Sequence, residues 1–280
     1  MKRPYSLPSK HKLSATALSC FLESPKAYYW RYIAKLEPLS LSTSNFDHDK
    51  ICGSLWSEFV DRFYKQKAAE ASNTTRMLAD WDRQTDGWVG KTTKDRLTEA
   101  MKSWASLYYQ RYSPDDGVRN GSEKFVENDR FLGYLDGLSH DGKTLHEVKS
   151  TSRAKSVSEQ LWKVQRSIQV KLYCVLTGVE GVLIEFAYKD SPHDIYRADV
   201  LPISEKQRKD WEQELNALAD RIYSLGDDPN NYSCHPDGCC IISKGFTSVC
   251  NYQSLCEGME GAEIAFKAKQ SREEKLKEIN

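Results

Sequence analysis

The stretch GYLDGLSHDGKTLHEVKST, residues 133–151, decides how this chain is read. Asp141-Gly142 is a strong two-residue hairpin signal, because Gly takes a positive φ at no steric cost, and both flanks read as strands. With the turn centred there, facing residues have numbers that sum to 283, as 141 and 142 do, so Asp136 opposes Glu147. Their Cβ atoms are then about 5 Å apart. Lys149, two residues beyond Glu147, projects from the same face, which in this register also carries Leu132, Tyr134, Leu138 and Leu145.

Two carboxylates and an amine thus share an otherwise apolar surface. Directly opposed like charges destabilise a sheet, and charges beside an apolar face are costly to desolvate. A divalent cation relieves both costs: Mg²⁺ favours carboxylate and carbonyl oxygens plus water. Asp136, Glu147 and the main-chain carbonyl of Val148 supply such a set, with positions left for phosphate and water. Lys149 can orient or help deprotonate the attacking water, or neutralise charge on the phosphate. The competing reading is a surface hairpin in which Lys149 bridges both acids as a salt-bridge trio, and spacing alone does not choose between the two.

Outward from this hairpin the periodicity changes. On the amino side, Ser14 reads as the N-cap of a helix through Cys20, and Ser24-Pro25 as cap and first-turn proline of another through Tyr32. Ile51, Leu55, Phe59 and Phe63 recur at helical spacing, as do Leu97, Met101, Trp104 and Tyr108 after a break at 85–93. Strands are expected at EKFVEN (123–128), RFLGYLDGLS (130–139) and KTLHEVKS (143–150). A long amphipathic helix from Val157 to Leu176 follows, then strands GVLIEFAY and IYRADVLP. The last helix opens on a capping box, Ser204 with Gln207, and stops at Gly226. The order β-β-β-α-β-β, with helices on either side, predicts an α/β core. The regions are a helical part over 1–121, a core over 122–203, and a final helix with a cysteine-rich cap and charged tail over 204–280, integrated as one catalytic unit.

Composition narrows the class. Forty basic and forty acidic residues cancel, so any nucleic-acid groove must come from local clustering rather than a global field. No apolar run approaches the roughly 18–20 residues a bilayer span needs, and MKRPYSLPSKHK lacks a signal peptide's apolar stretch. The expectation is an intracellular, cytoplasmic protein with no membrane association. No G-x-x-x-x-G-K-[ST] loop is present, so the chain carries no ATPase motor of its own. Five of the eight cysteines crowd between Cys234 and Cys256, which points to metal more than to disulfides in a reducing compartment.

GYLDG at 133–137 followed by HEVKST at 146–151 resembles the G-x-x-D and E-x-K core of the PD-(D/E)XK nucleases. In the RecB-like branch the next helix carries Q-x-x-x-Y, and QVKLY supplies Gln169 and Tyr173. Glu123 stands where this branch often has an acidic residue opening the first strand. At the amino end, LSATALSCFLESPKAYYWRYI (13–33) is similar to the helix pair of RecB-type and CRISPR-associated exonucleases, with Ser24 in place of that pair's cysteine. The resemblance implies a restriction-endonuclease-like fold and a Mg²⁺- or Mn²⁺-dependent DNA exonuclease of recombination, repair or phage replication. The catalytic set it implies is Asp136, Glu147, Lys149, Gln169 and Tyr173. The resemblance also leaves room for a recombination or replication protein as partner.

Two departures stand out. The branch's G-x-x-x-H helix uses its histidine as a metal ligand, but GSLWS at 53–57 puts Ser57 in that slot. This motivates an alternative, a catalytically impaired nuclease-fold subunit that binds DNA or serves as a scaffold. CNYQSLC resembles the C-x5-C closing an iron–sulfur site, which makes Cys20, Cys240, Cys250 and Cys256 a candidate cluster set, with Cys234 or Cys239 as substitutes for Cys240 and His235 as a zinc alternative. Thr247 stands where the usual first cysteine of the carboxy-terminal run belongs.

Arg153, Lys155, Lys163, Arg166 and Lys171 cluster after the catalytic strand, where a phosphate backbone would pass; each is equally readable as part of a solvated helix face. Tyr28, Tyr29, Trp30 and Tyr32 have helical spacing and are expected to pack rather than to stack on bases.

Overall fold

The computed structural model describes residues 11–38, 45–67, 69–86, 91–120, 124–152, 156–190, 192–233, 241–243, 247–249, 252, 255 and 266–268. The chain opens with α1 (Ala15–Glu23), α2 (Pro25–Tyr28), a π-helical turn over Tyr29–Ile33, and β1 (Leu36–Pro38). Three helices follow: α3 (Asn45–Gln66), α4 (Glu70–Gln84) and α5 (Lys91–Arg111). Then come β2 (Lys124–Glu127), β3 (Leu132–Leu135), β4 (Gly137–Leu138), β5 (Thr144–Thr151), α6 (Val157–Gln165), α7 (Ile168–Thr177) and β6 (Gly181–Tyr188). The remainder is β7 (Asp194–Arg197), β8 (Leu201–Pro202), α8 (Glu205–Leu225), β9 (Ile241–Ser243), β10 (Thr247–Val249) and β11 (Phe266–Ala268).

The caps act as their chemistry requires. Ser14 Oγ accepts from Ala17 N and Ser24 Oγ from Ala27 N, each at 3.2 Å. Ser204 Oγ accepts from Gln207 N at 3.1 Å, and Gly226 ends α8 with φ of 61°. The first helix runs one turn past Cys20, to Glu23, because Ser24 N still reaches Cys20 O at 2.9 Å.

Two compact units emerge: 1–41 with 129–131 and 214–280, and 42–128 with 132–213. In the first, Leu13 N bonds Arg130 O at 2.8 Å, and Tyr28 is fully buried with its hydroxyl 2.7 Å from His11 Nε2. Phe21, Tyr32 and Tyr232 pack round the Tyr28 ring, so the aromatics of 28–32 do pack, as their helical spacing requires. β1 pairs antiparallel with β11, and β9 with β10.

The second unit is an α/β layer built on a mixed five-stranded sheet of order β4-β5-β6-β7, with β8 also on β6. β5 and β6 are parallel, Thr144 beside Gly181 through Thr151 beside Tyr188, and the crossover between them runs through α6 and α7. All eight residues of β6 are buried, as in a strand covered on both faces, with Glu185 the one charged residue among them. On one face Val148, Ala187 and Ile195 join a core with Leu55, Phe59 and Phe63 of α3 and Leu97, Met101, Trp104 and Tyr108 of α5, the two stripes read from periodicity. The opposite face carries Glu147 and Lys149 toward α7. β2 and β3 form a separate antiparallel ribbon in which Phe125 faces Tyr134.

A buried polar network lies on the α3–α5 face. Glu185 accepts from Tyr108 Oη at 2.9 Å and from Arg197 Nε, and His146 Nε2 lies 3.2 Å from its Oε2. Arg197 also donates to Asp116 Oδ2 at 2.7 Å and to Tyr64 Oη at 2.6 Å, with its guanidinium 3.6 Å from the centre of the Tyr112 ring. Burial alone would raise the Glu185 pKa, but His146, Arg197 and Tyr108 outweigh it and hold the group down at about 2. His146 and Val148 flank Glu147, so tying them to this face commits Glu147 to the other one.

Three readings are corrected. Beyond β4 Ser139 N still bonds Thr144 O at 2.9 Å, so the hairpin closes in a four-residue loop, His140–Lys143, rather than a two-residue turn. Gly142 N bonds Ser139 O at 2.9 Å, and the Ser139 hydroxyl accepts from Thr144 N at 2.9 Å and donates to Asp141 Oδ1 at 2.5 Å. Asp141 Oδ1 in turn accepts from Lys143 N, an Asx turn that competes with the tighter hairpin. The predicted 157–176 helix is two helices, because Ser167 Oγ accepts from Val170 N at 3.3 Å and caps a new start. The long strand over 130–139 is interrupted at Asp136, so Leu132 and Tyr134 pair with β2 instead of sharing a face with Glu147.

Removing Glu185 takes the acceptor from the buried Tyr108 hydroxyl and His146 and leaves Arg197 only one of its two carboxylate partners, Asp116. Glu185→Leu is expected to cost about 3–5 kcal/mol in urea unfolding, and adding Arg197→Met to recover part of it. A loss under about 1 kcal/mol would contradict this account of the sheet.

Candidate active site

The register read from the sequence is the one observed: Gly137 faces His146 and Leu138 faces Leu145, both pairs summing to 283. The ladder stops there. At the next hydrogen-bonding position Val148 N donates to the side chain of Asp136, Oδ2 at 2.9 Å, where a continuing strand would offer the carbonyl of residue 135. The Asp136 carboxylate therefore replaces backbone and sits against β5. N–H and C=O of one strand residue point the same way, so the Val148 carbonyl also faces the Asp136 edge rather than β6.

Glu147 is fully buried. Its Oε2 accepts from Lys149 Nζ at 2.6 Å and from Gln169 Nε2 at 3.2 Å, whereas its Oε1 is buried with no hydrogen-bond partner among the described residues. Lys149 Nζ donates onward to Gln169 Oε1 at 3.2 Å, closing a three-membered ring of contacts between β5 and α7. Burial, opposed by Lys149 and reinforced by Asp136, pushes the Glu147 carboxyl up to about 7. For Lys149, burial acts to lower the pKa, but Glu147 and Asp136 outweigh it and the ammonium is held above its ordinary value.

Gln169 and Tyr173 lie one turn apart on α7. Tyr173 is nearly buried, with a backbone hydrogen bond to Tyr134, and burial lifts its pKa to about 12. Gly133 makes that position possible: a Cβ there would lie 2.4 Å from Tyr173 Cε1. The first glycine of G-x-x-D thus serves the close approach of α7 to β3.

On α3, Gly53 abuts the Ser150 hydroxyl, 2.8 Å from where a Cβ would stand, and Asp61 Oδ1 bonds Arg119, which packs on Gly137. Ser57, half-buried, falls one helical turn from each along α3. The Asp61–Arg119 pair behind Gly137 and the Glu185 network beside His146 are supports that sequence reasoning missed. Nothing in the local pattern links residues so far apart.

Lys163 and Arg166 are exposed on or beside α6, with Arg166 lying 4.5 Å over the Trp162 ring, while Lys171 is half-buried on α7. Arg153, Lys155 and Glu123 lie outside the described residues, as do Cys234, His235, Cys239, Cys240, Cys250 and Cys256. Ser24, in the expected cysteine slot, is buried and spends its hydroxyl on capping α2. Cys20 is half-buried and packs in one cluster with Tyr252 and Leu255, the described residues of the 250–256 segment. Among the described residues no cluster of three His, Cys, Asp or Glu side chains is placed to hold a metal. No helix of the described residues is long and apolar enough to cross a membrane.

A family model for the PD-(D/E)XK nuclease superfamily matches residues 12–257, and the chain belongs to that superfamily. No curated protein matches it. Among solved structures it is similar to a protein named only as a candidate exonuclease of Eubacterium rectale, with TM-score 0.50 and 11% identity over 89% of this chain and 93% of that one. It is also similar to a phage-related exonuclease of Haemophilus somnus 129PT, at 15% identity over 60% of this chain and 91% of that one; its TM-score of 0.34 is too low to bear on the fold.

The Glu147 environment has a measurable sign. Between the ordinary carboxyl value of 4.5 and about 7, the unfolded chain has lost the Glu147 proton while the folded chain keeps it. Folding then takes up a proton, and this group's contribution to stability falls as pH rises, by about 3 kcal/mol across the window. Urea unfolding in EDTA is expected to show that component in the wild type and not in Glu147→Gln. Equal pH slopes in the two proteins would contradict it.

Proposed function

We propose that this protein is a Mg²⁺- or Mn²⁺-dependent deoxyribonuclease acting from DNA ends, with Asp136, Glu147 and the Val148 carbonyl as metal ligands and Lys149 as the assisting cation. The observation that carries the reading is Glu147 Oε1, an acceptor buried without a hydrogen-bond partner among the described residues and lying beside a second carboxylate. Such an atom in a native fold calls for a partner outside the protein, and a hard divalent cation suits two carboxylates and a carbonyl. Once Glu147 is ionised, one ammonium against two carboxylates leaves the local charge negative, which favours a cation further.

When bound, the metal would supply Lewis-acid polarisation of the scissile phosphate and a lower pKa for water. The protein's own groups do the rest. Hydrolysis joins a water oxygen to phosphorus and breaks the P–O bond to the leaving sugar oxygen; the attacking water gives up a proton and the leaving oxygen takes one from solvent. Lys149, which donates to both Glu147 Oε2 and Gln169 Oε1, is used here as an ammonium and is suited to stabilising negative charge on the phosphate oxygens. Gln169 orients Glu147 and Lys149 together, and Tyr173 walls the site on the α7 side. Membership of the nuclease superfamily supports nucleic acid as substrate. Action from ends rests on the RecB-like resemblance and suits a role in recombination, repair or phage replication.

Ser57 in the histidine slot favours a second reading, a nuclease-fold subunit that retains DNA binding and has lost its metal. Calorimetry with Mn²⁺ separates the two, since that subunit shows DNA affinity without metal binding.

Under the nuclease reading, purified protein releases nucleotides from labelled linear DNA with Mn²⁺, EDTA stops it, and closed circular DNA resists. Asp136→Ala and Lys149→Ala each reduce the rate by at least about a hundredfold while keeping the thermal unfolding cooperative. Full activity in both variants would overturn the assignment.

A further inference from the structure

Hydrogen bonds strap the segment between α5 and β2 along the carboxy-terminal end of α3. Asp61 Oδ1 accepts from Arg119 Nη2 at 2.9 Å, Asp116 Oδ2 from Tyr64 Oη at 3.2 Å, and Asp115 Oδ1 from Lys67 Nζ at 2.6 Å. Asp116 also accepts from Val118 N at 3.0 Å and from Arg197 at 2.7 Å, which ties the segment to the buried Glu185 network. The same segment runs antiparallel along the outer edge of β4: Asn120 N donates to Leu138 O at 2.6 Å and His140 N to Gly117 O at 3.4 Å. β4 is thus held between this segment and β5.

Arg119 is the buried residue of the segment, its side chain 1% exposed against 24% for its partner Asp61. Its stem lies against Gly137: a Cβ there would stand 2.7 Å from Arg119 Cγ and Nε and 2.8 Å from Cδ. Gly137 faces His146 in the β4–β5 register, so Arg119 presses from the α3 side, while Asp136, one residue earlier, accepts from Val148 N. In its amino-terminal half α3 meets β5 itself, Gly53 against the Ser150 hydroxyl. One helix therefore braces both places that carry the candidate metal ligands, β5 directly and the start of β4 through Arg119.

We propose that Arg119 is a positioning residue for Asp136: pinned by Asp61, its stem sets where Gly137 sits and so keeps the neighbouring carboxylate on Val148 N–H, in place as a ligand. The consequence for metal rests on the nuclease reading; the placing of Asp136 does not. A buried ion pair suits the task. Burying a cation is costly where an apolar side chain would fill the space, but pairing with Asp61 gives the stem one defined position. Groups that orient a ligand spare it reorganisation on binding, and their loss weakens metal affinity.

The test reads Asp136 without metal, through the Val148 amide that it holds. Hydrogen exchange in EDTA, followed residue by residue by NMR, is expected to quicken in Arg119→Ala at least about tenfold more at Val148 than at the amides of β6. A role confined to overall stability would quicken both alike, so equal acceleration, or none at Val148, would overturn the assignment. Arg119→Lys, which keeps a stem over Gly137 and a charge for Asp61, is expected to restore slow exchange at Val148; exchange as fast as in Arg119→Ala would overturn it too. Because Arg119→Ala can lose its fold, Gly137→Ala pushes on the same contact from the strand side. It is expected to give the same selective change, and an unaltered Val148 amide there counts against the proposal as decisively. Calorimetry with Mn²⁺ supplies the functional arm: Arg119→Ala binds about 10- to 100-fold more weakly than the wild type, and equal affinity would overturn the positioning role. A wild type that binds no Mn²⁺ would sink the nuclease reading, and the exchange arm, run without metal, would still decide what places Asp136.

Discussion

The Glu147 carboxylate is the group on which the rest of this structure turns. It is completely buried, one oxygen is held by Lys149 and Gln169, and the other has no hydrogen-bond partner among the described residues. A carboxylate in that position is costly, and burial raises its pKa for the same reason. The surrounding fold is arranged to keep it there: α7 brings Gln169 over it, Gly133 lets the Tyr173 ring approach β3, and the opposite face of β5 is tied down through His146 and Val148.

The break at Asp136 is the complementary device. By ending the β4 ladder after one short pairing and putting a side-chain carboxylate on Val148 N, the chain opens the edge of β5 where its carboxylates sit. The same break frees β3 to pair with β2 and turn Tyr134 outward. A continuous hairpin would have closed that edge. Arg119, buried against Gly137 and paired with Asp61 on α3, packs behind the opening.

Much of this was legible in the sequence because it is local. The 283 register survived a wrong turn type, since a four-residue loop centred between the same residues preserves the pairing of Gly137 with His146. The Ser14, Ser24 and Ser204 caps and the Gln169–Tyr173 spacing follow from short-range chemistry. The pairing of Glu185 with Arg197, Tyr108 and His146, and of Asp61 with Arg119, depends on elements far apart in the chain, and no periodicity announces it. The split of the 157–176 helix was missed for a different reason: Ser167 reads as a tolerable helix residue until its hydroxyl is seen capping Val170.

The central claim is that Glu147 and Asp136 are two ligands of one divalent cation. An anomalous difference map from crystals equilibrated with Mn²⁺ tests it most directly. The account predicts a single strong peak in contact with both carboxylates and the Val148 carbonyl, at roughly 2.0–2.3 Å. A saturated crystal with no peak there, or with peaks only at other acidic surfaces, would contradict it.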